Sequence, residues 1–399
     1  MKIINVIENL DDTYGGPAKS VPYMCKYLED IDVDTQILSI CLKSNEKNSL
    51  VERYKLNWKI FNYNFFKSFR YSVDMKRYIK NIALKEKNII LHTHNLWNYI
   101  CYISLKISQK YNLPLIVSIR GSLYKWSLEQ SKWKKLIAWA LFQKRVLQNA
   151  SCIHVTEMKE LEAVRDLQIK TPIAIIPNGI NLEEFKGLKT KNDAKSSLGL
   201  KNDKKYILFI SRLHPKKGIE FLINSWINIA NTYQDWDLLI VGPEYNKHYV
   251  DDLRSKIIDS QLSERVVFTG MLEGDERLDS FAASSLFVLP SYSENFGVAI
   301  AEAMAAKLPI ITTHGTPWKE INIYKAGWWV ELNQDNIDYA LNQALACSEH
   351  ELGLKGLNGL RLIEKYEWKY QATKMKELYE YIINGKHKPD FLYEFGDKN

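Results

Sequence analysis

Glu294 and Glu302 stand eight positions apart in Glu294-Asn295-Phe296-Gly297-Val298-Ala299-Ile300-Ala301-Glu302, after an apolar run and a Pro290-Ser291 turn. A carboxylate accepts hydrogen bonds from neutral hydroxyls, so each could hold a polyol such as a sugar or a ribose. Were the stretch helical throughout, the two would lie ~12 Å apart. That leaves room between them for a diphosphate, bound by the N–H groups of Phe296 and Gly297 at a helix N-terminus. Asn295 is a further polar candidate there. The plainer alternative is a carboxylate placed for the helix dipole and a surface glutamate.

A second stretch, Ser211-Arg212-Leu213-His214-Pro215-Lys216-Lys217-Gly218, also follows an apolar run and precedes a helical one. A helix N-terminus attracts phosphate. Arg212 would add a planar fork for two oxygens and Lys217 a point charge. A solvated basic loop is the alternative. A third stretch, Gly15-Gly16-Pro17, would let backbone approach a ligand closely, with Pro17 in the first helical turn; a plain tight turn explains it equally well.

The elements that must hold these loops are short apolar runs alternating with helical stretches. Candidate strands fall at 3–7, 89–91, 115–118 and 152–155. After a break at Ile176-Pro177-Asn178-Gly179 the pattern restarts with runs at 206–210, 238–241, 266–268, 286–289 and 310–312. This alternation predicts an α/β protein of two Rossmann-like parallel sheets, one over 1–180 and one over 181–365. The stretch 366–383 has apolar side chains at helical spacing and is expected to return to the first domain.

In combination the three loops resemble a known family, the retaining glycosyltransferases of the GT-B fold grouped as glycosyltransferase family 4. The linker Ile175-Ile176-Pro177-Asn178-Gly179-Ile180-Asn181, the stretch Gly315-Thr316-Pro317 and the long terminal helix fit as well. The resemblance implies a donor held in a cleft between the two domains, mostly on the second. Arg212 and Lys217 would bind its diphosphate, Glu294 the transferred sugar and Glu302 the ribose. Gly15 and Gly16 would close over the phosphates, and the backbone near Met271 and Leu272 would read the base. It implies a UDP- or GDP-sugar donor, a glycan or lipid-linked acceptor, retention of anomeric configuration and no metal or other cofactor. A bacterial surface polysaccharide or lipopolysaccharide is the expected product. A GT-B nucleotide-sugar 2-epimerase and a non-catalytic sugar-binding subunit are the alternatives. The Glu294/Glu302 pair with Arg212 and Lys217 argues against the first, and the presence of both Glu294 and Lys217 against the second.

One feature departs from the family. Where many relatives carry His-Gly after a first-domain strand, this chain has Ser118-Ile119-Arg120-Gly121. Arg120 cannot act as a base but could bind a phosphate or an anionic sugar. His92, His94 and Asn95 sit just after a predicted strand and are candidate cleft or acceptor residues. No cysteine or aspartate cluster accompanies His92-Thr93-His94, so a metal site is not expected. Asp32-Val33-Asp34 and Asp235-Trp236-Asp237 read as acidic residues flanking strands.

Composition narrows the setting. The chain has 399 residues, 46% of them hydrophobic, and a net charge of +7. Its five scattered cysteines form no CxxC pair, no run approaches a membrane span, and the N-terminus reads directly as a strand. A cytoplasmic protein is expected. Its basicity is regional: residues 51–90 hold ten Lys/Arg against three Asp/Glu, and 120–145 hold seven against one. Aromatic residues mix with these cations in Lys132-Trp133-Lys134-Lys135 and across 55–70, where Trp58, Phe61, Tyr63, Phe65, Phe66 and Phe69 occur. An anionic membrane surface is the partner this predicts, with nucleic acid ranked far lower because no RNA-binding motif is present.

Overall fold

The computed structural model describes residues 1–12, 15–41, 47–63, 71–244, 246–385 and 387–397. It divides into two compact units, Met1–Gly179 with Trp368–Asn399, and Ile180–Glu367. The strands of the first are β1 (Lys2–Val6), β2 (Asp34–Cys41), β3 (Trp58–Asn62), β4 (Ile89–His94), β5 (Leu115–Ser118), β6 (Cys152–Val155) and β7 (Ile173–Ile175). The second holds β8 (Lys205–Ile210), β9 (Trp236–Val241), β10 (Val266–Gly270), β11 (Leu286–Leu289), β12 (Ile310–Thr313) and β13 (Gly327–Val330). A short last strand, β14 (Leu392–Tyr393), closes the edge of the first sheet.

The first sheet runs β14-β7-β6-β5-β4-β1-β2-β3, parallel except for the antiparallel β14; the second runs β10-β9-β8-β11-β12-β13 and is wholly parallel. These are the doubly wound sheets that the alternation predicts. Their inner strands are apolar runs because helices cover both faces: β4, β9 and β11 are buried along their whole length.

In the first unit the two faces have separate cores. Leu91, Val117 and Ile153 point to one, with the helices Val73–Lys85 and Tyr99–Tyr111. Ile90, Ile116 and Cys152 point to the other, with the helices Gly16–Glu29 and Trp368–Asn384. The terminal helix does pack on this unit: Trp368 stacks on Tyr23 with ring centroids 6.1 Å apart. The chain passes so close that a Cβ on Gly179 would lie 2.4 Å from the Trp368 ring.

Parallel sheets bind ligands beyond the carboxyl ends of their strands, at the point where the winding reverses. In the first sheet that point lies between β1 and β4, in the second between β8 and β11. The chain carries Gly15-Gly16 after β1, the 211–218 loop after β8 and the 290–297 loop after β11.

Candidate functional site

In the second unit the loops after β8 and β11 are fastened together. The Tyr292 N–H donates to the Lys216 carbonyl at 2.9 Å, and the Ser291 hydroxyl to the same oxygen at 3.1 Å. This approach requires glycine at 218, which has φ +64° and whose Cβ would lie 2.0 Å from the Pro290 carbonyl oxygen. Gly315 plays the same part on the other side. A Cβ there would meet the Tyr292 oxygen at 2.4 Å, and its carbonyl accepts the Glu294 N–H at 2.8 Å.

The fastening brings Lys217 and Glu294 into contact. Lys217 Nζ lies 2.5 Å from Glu294 Oε1, and their side chains are only 13% and 12% exposed. Burial pushes the Glu294 carboxyl up. The Lys217 ammonium, the nearby Lys216 and a hydrogen bond from Ser291 outweigh it and hold the group below its ordinary value. Glu294 is therefore an anion at neutral pH. Lys216 is pushed down by burial, with Lys217 and Arg212 adding to the shift against the pull of Glu294. His214 is lowered by burial and by the same three cations, and its Nδ1 accepts the Lys216 N–H at 3.0 Å. Arg212 is exposed and forms no ion pair among the described residues, so its guanidinium is available to a ligand.

Two helices begin at this site, Ile219–Ile229 after Gly218 and Val298–Ala305 after Gly297, and no side chain caps either. Gly297 has φ +77°, so the backbone turns between the two glutamates and the straight-helix spacing does not apply. Phe296 is a structural anchor: its ring is buried against Trp318 and Tyr366, and its carbonyl accepts the Trp318 indole N–H. Only its N–H remains for phosphate. Asn295 is partly exposed in the same loop.

Glu302 lies in the helix, is 7% exposed and pairs with Arg277. Arg277 belongs to the helix Gly274–Ala282 after β10 and went unrecognised in the sequence, where no motif surrounds it. Met271 and Leu272 follow β10 at the sheet edge, Met271 exposed at 41% and Leu272 packed against the core.

The first unit gathers a different set. His92 and His94 lie within β4, not after it, and both are buried. Every ring nitrogen has a partner. His154 Nε2 lies 2.9 Å from the Ile176 carbonyl, which can only accept, so the proton is on Nε2. His154 Nδ1 must then accept from the Ser118 hydroxyl at 2.7 Å. Ser118 in turn accepts from His92 Nε2 at 2.7 Å, and His92 Nδ1 accepts from the Tyr379 hydroxyl at 2.8 Å. One carbonyl thus fixes three side chains and ties the terminal helix to the sheet. By the same logic His94 Nε2 donates to Asn5 Oδ1 at 3.1 Å, which leaves Nδ1 to accept from Arg120 at 3.3 Å.

Burial lowers all three imidazoles, and the Arg120 cation adds to it in each, with neighbouring histidines adding further at His92 and His94; His154 falls to about 3. They are neutral. Neither His92 nor His94 offers a nitrogen to a ligand, which corrects the placement expected from the sequence. Asn95 follows β4 with φ +70°, its N–H bonded to the Ser118 carbonyl at 3.0 Å.

What this cluster presents is Arg120, at φ +51° beyond β5. Its guanidinium donates to Asn178 Oδ1 at 2.7 Å and Ser20 Oγ at 3.0 Å, besides His94, and its buried Nε has no partner. Burial pushes it down to about 10, so it remains charged at neutral pH. These three partners are neutral. The carboxylate whose charge acts on it, Glu160, is taken up by the N–H groups of Gly121 and Thr156 and the Thr156 hydroxyl. Ser20 belongs to the helix that Gly15 and Gly16 open, and both glycines have empty space where a Cβ would stand.

The acidic pairs are structural. Asp237 is buried in β9 and bonded to Arg265 at 2.5 Å, while Asp34 and Asp235 pair with Lys2 and Lys205. Among the described residues no group of three or more His, Cys, Asp or Glu is disposed to hold a metal ion. Of the 55–70 segment, Trp58 and Phe61 form β3, and Tyr63 packs on the core. Phe65, Phe66 and Phe69 lie outside the described residues.

Known proteins share this architecture. Residues 14–184 match the family model Glycosyltransferase Family 4, and 190–355 match Glycosyl transferases group 1. An uncharacterized glycosyltransferase of Methanocaldococcus jannaschii is 29% identical over 58% of this chain and 60% of its own length. The match to the lipopolysaccharide core biosynthesis mannosyltransferase LpsB of Rhizobium meliloti is 28% identical over 38% of this chain. It reaches 44% of that protein, so the chain spans about half the length of these first curated relatives. The Escherichia coli UDP-Gal:alpha-D-GlcNAc-diphosphoundecaprenol alpha-1,3-galactosyltransferase is 27% identical over 78% of this chain and 81% of its own. Among solved structures, sucrose-phosphate synthase of Thermosynechococcus elongatus superposes with a TM-score of 0.77 at 21% identity, over 97% of this chain and 100% of that one. Anabaena HepE, solved with UDP-glucose, gives 0.76 at 16% identity over 95% and 99%. The fold is GT-B, and the chain belongs to the group 1 glycosyltransferases of family 4.

Proposed function

We propose that the chain transfers a hexose from a UDP- or GDP-sugar to a glycan or lipid-linked acceptor, with retention of anomeric configuration and without a metal. The acceptor is held at the cytoplasmic face of a membrane, in the assembly of a bacterial surface polysaccharide or lipopolysaccharide. The observation that carries the transfer is the buried Lys217–Glu294 pair at the winding reversal of the second sheet, beside the unpaired Arg212 and two uncapped helix N-termini.

In this reading Arg212, Lys217 and the N–H groups after Gly297 hold the diphosphate. They stabilise the charge that grows as the bond between C1 and the phosphate oxygen breaks. The electron pair leaves with the nucleoside diphosphate. The acceptor hydroxyl attacks C1 from the same face and gives its proton to the departing phosphate oxygen. Glu294 holds the sugar's hydroxyls and fixes its orientation. Glu302, aimed by its ion pair with Arg277, takes the ribose hydroxyls. The names of the E. coli galactosyltransferase and of HepE with UDP-glucose support a UDP-linked donor.

A thermal-shift screen of UDP-, GDP- and ADP-sugars tests the donor, because a ligand of the folded state raises stability by mass action. A shift with one nucleotide series is expected, and NMR of the product should show the donor's anomeric configuration. No shift with any of them, or an inverted product, contradicts the reading.

A further inference from the structure

The helices over one face of the first sheet leave apolar surface uncovered. Residues 132–148 form one helical run, an α-helix Lys132–Ala138, a π-helical turn Trp139–Gln143 and an α-helix Lys144–Gln148. Its inner side is buried through Phe142, Val146 and Leu147. On the outer side Trp133 is 80% exposed, Leu141 69%, Ile137 60% and Leu136 54%. Their spacing at three to four residues puts these four on one stripe, where a helix that merely faced water would carry polar side chains.

Beside this run lies a groove of about 750 Å³ between the helices Val73–Lys85 and Tyr99–Tyr111. Lys76, Lys80, Lys106 and Lys110 line it together with Tyr102 and Tyr111, and no carboxylate is among its lining residues. The lysines stand one turn apart on each helix, where like charges repel unless an anion lies between them. Tyr102 packs on Phe142, on the inner side of the helical run, with ring centroids 5.9 Å apart, so the run and the helix Tyr99–Tyr111 that lines the groove are neighbours in the helical layer over one sheet face.

We infer that this surface docks the protein on an anionic lipid bilayer. Trp133, Leu136, Ile137 and Leu141 enter the boundary between headgroups and acyl chains, and the four groove lysines take lipid phosphates. Lys132 and Lys134 add charge at the rim. Lys135 does not: its ammonium turns inward to the Ser127 carbonyl and the Trp97 ring. A second copy of the chain fits poorly, because a two-fold interface would set these cations against the same cations. The inference rests on the reading that the acceptor is held at a membrane, and it names the face that meets it.

The test is co-sedimentation of the full chain with phosphatidylcholine vesicles with and without phosphatidylglycerol. It is run for the parent, a Trp133→Ser/Leu141→Ser variant and a variant with Gln at all four groove lysines. The parent should partition to the anionic vesicles and remain monomeric by light scattering. Each variant should lose roughly tenfold or more of that partition, and the lysine variant should also lose most of the salt dependence. Brominated lipid should quench the parent's fluorescence and spare that of Trp133→Phe. Equal partition of all three proteins overturns the inference, as does a parent dimer that Trp133→Ser dissociates. Donor affinity is measured alongside. A parent that binds donor but not the anionic vesicles refutes this face alone, and a parent that binds the vesicles but no nucleotide sugar refutes the transferase reading alone.

Discussion

The two winding reversals of this chain use charge in opposite ways. In the second unit a lysine and a glutamate cancel each other at 2.5 Å, and a free arginine stands nearby. In the first, the described hydrogen-bond partners of an arginine, Ser20, Asn178 and a neutral His94, carry no charge, and the carboxylate that acts on it, Glu160, is hydrogen-bonded to Gly121 and Thr156 instead. In the proposed reading the opposed pair exchanges partners when a ligand arrives, diphosphate for Lys217 and sugar hydroxyls for Glu294. The lone arginine can only gain an anion. The cost of keeping that cation falls on the histidines behind it, which must stay neutral to accept and relay its hydrogen bonds.

That contrast breaks first in acid. The folded state holds His92, His94 and His154 below the unfolded value of about 6.5, so it binds fewer protons than the unfolded chain over that interval. Their contribution to stability is complete above about 6.5 and is lost as pH falls below it, for His154 down to about 3. Each histidine should contribute about 1.4 kcal/mol per pH unit within its window. Urea unfolding of the first unit, followed between neutral pH and pH ~5, should show a falling midpoint; a flat one would mean these imidazoles titrate freely.

The next largest effect is expected at the opposed pair. Lys217→Ala and Glu294→Ala should each lower turnover by roughly 10²–10³ with the fold intact, since each removes a polar site group and no core volume. Near-normal kcat in either purified, folded variant would remove the pair from the chemistry. Glu302→Ala and Arg277→Ala should act more mildly. Ribose contacts differ little between ground and transition states, so donor affinity should weaken by roughly tenfold with kcat nearly unchanged. A kcat loss equal to that at Glu294 would assign Glu302 a different role. Excess chelator should change turnover least of all; loss of activity restored by manganese or magnesium would contradict a site that relies on Arg212, Lys217 and helix N-termini.

The sequence made the loops legible because each carries local chemistry: a basic run before a helix, a Glu pair around Gly297, a Gly-Gly-Pro after β1. The strands 115–118, 152–155 and 286–289 were readable as closed apolar runs and coincide with β5, β6 and β11. Others were not. In β2 polar Thr35, Gln36 and Ser39 interrupt the apolar pattern, β7 has three residues, and β14 owes its existence to pairing with β7. Arg277 and the cluster around Arg120 escaped for a different reason. Arg120 meets Ser20, His94 and Asn178, four segments that only the sheet order brings together. His92 and His94 misled because β4 runs on to His94, three residues past its apolar core.

The central claim is that Glu294 neutralises Lys217 until a diphosphate replaces it. Titration of UDP and GDP, which lack the sugar, into the parent, Lys217→Ala and Glu294→Gln measures this directly. The two variants should move affinity for the bound nucleotide in opposite directions. Lys217→Ala should weaken it by roughly tenfold or more, and Glu294→Gln, by releasing the ammonium, should leave it unchanged or tighter. If both variants weaken binding alike, or neither changes it, Lys217 does not hold the diphosphate and the pair is only a structural link between the two loops.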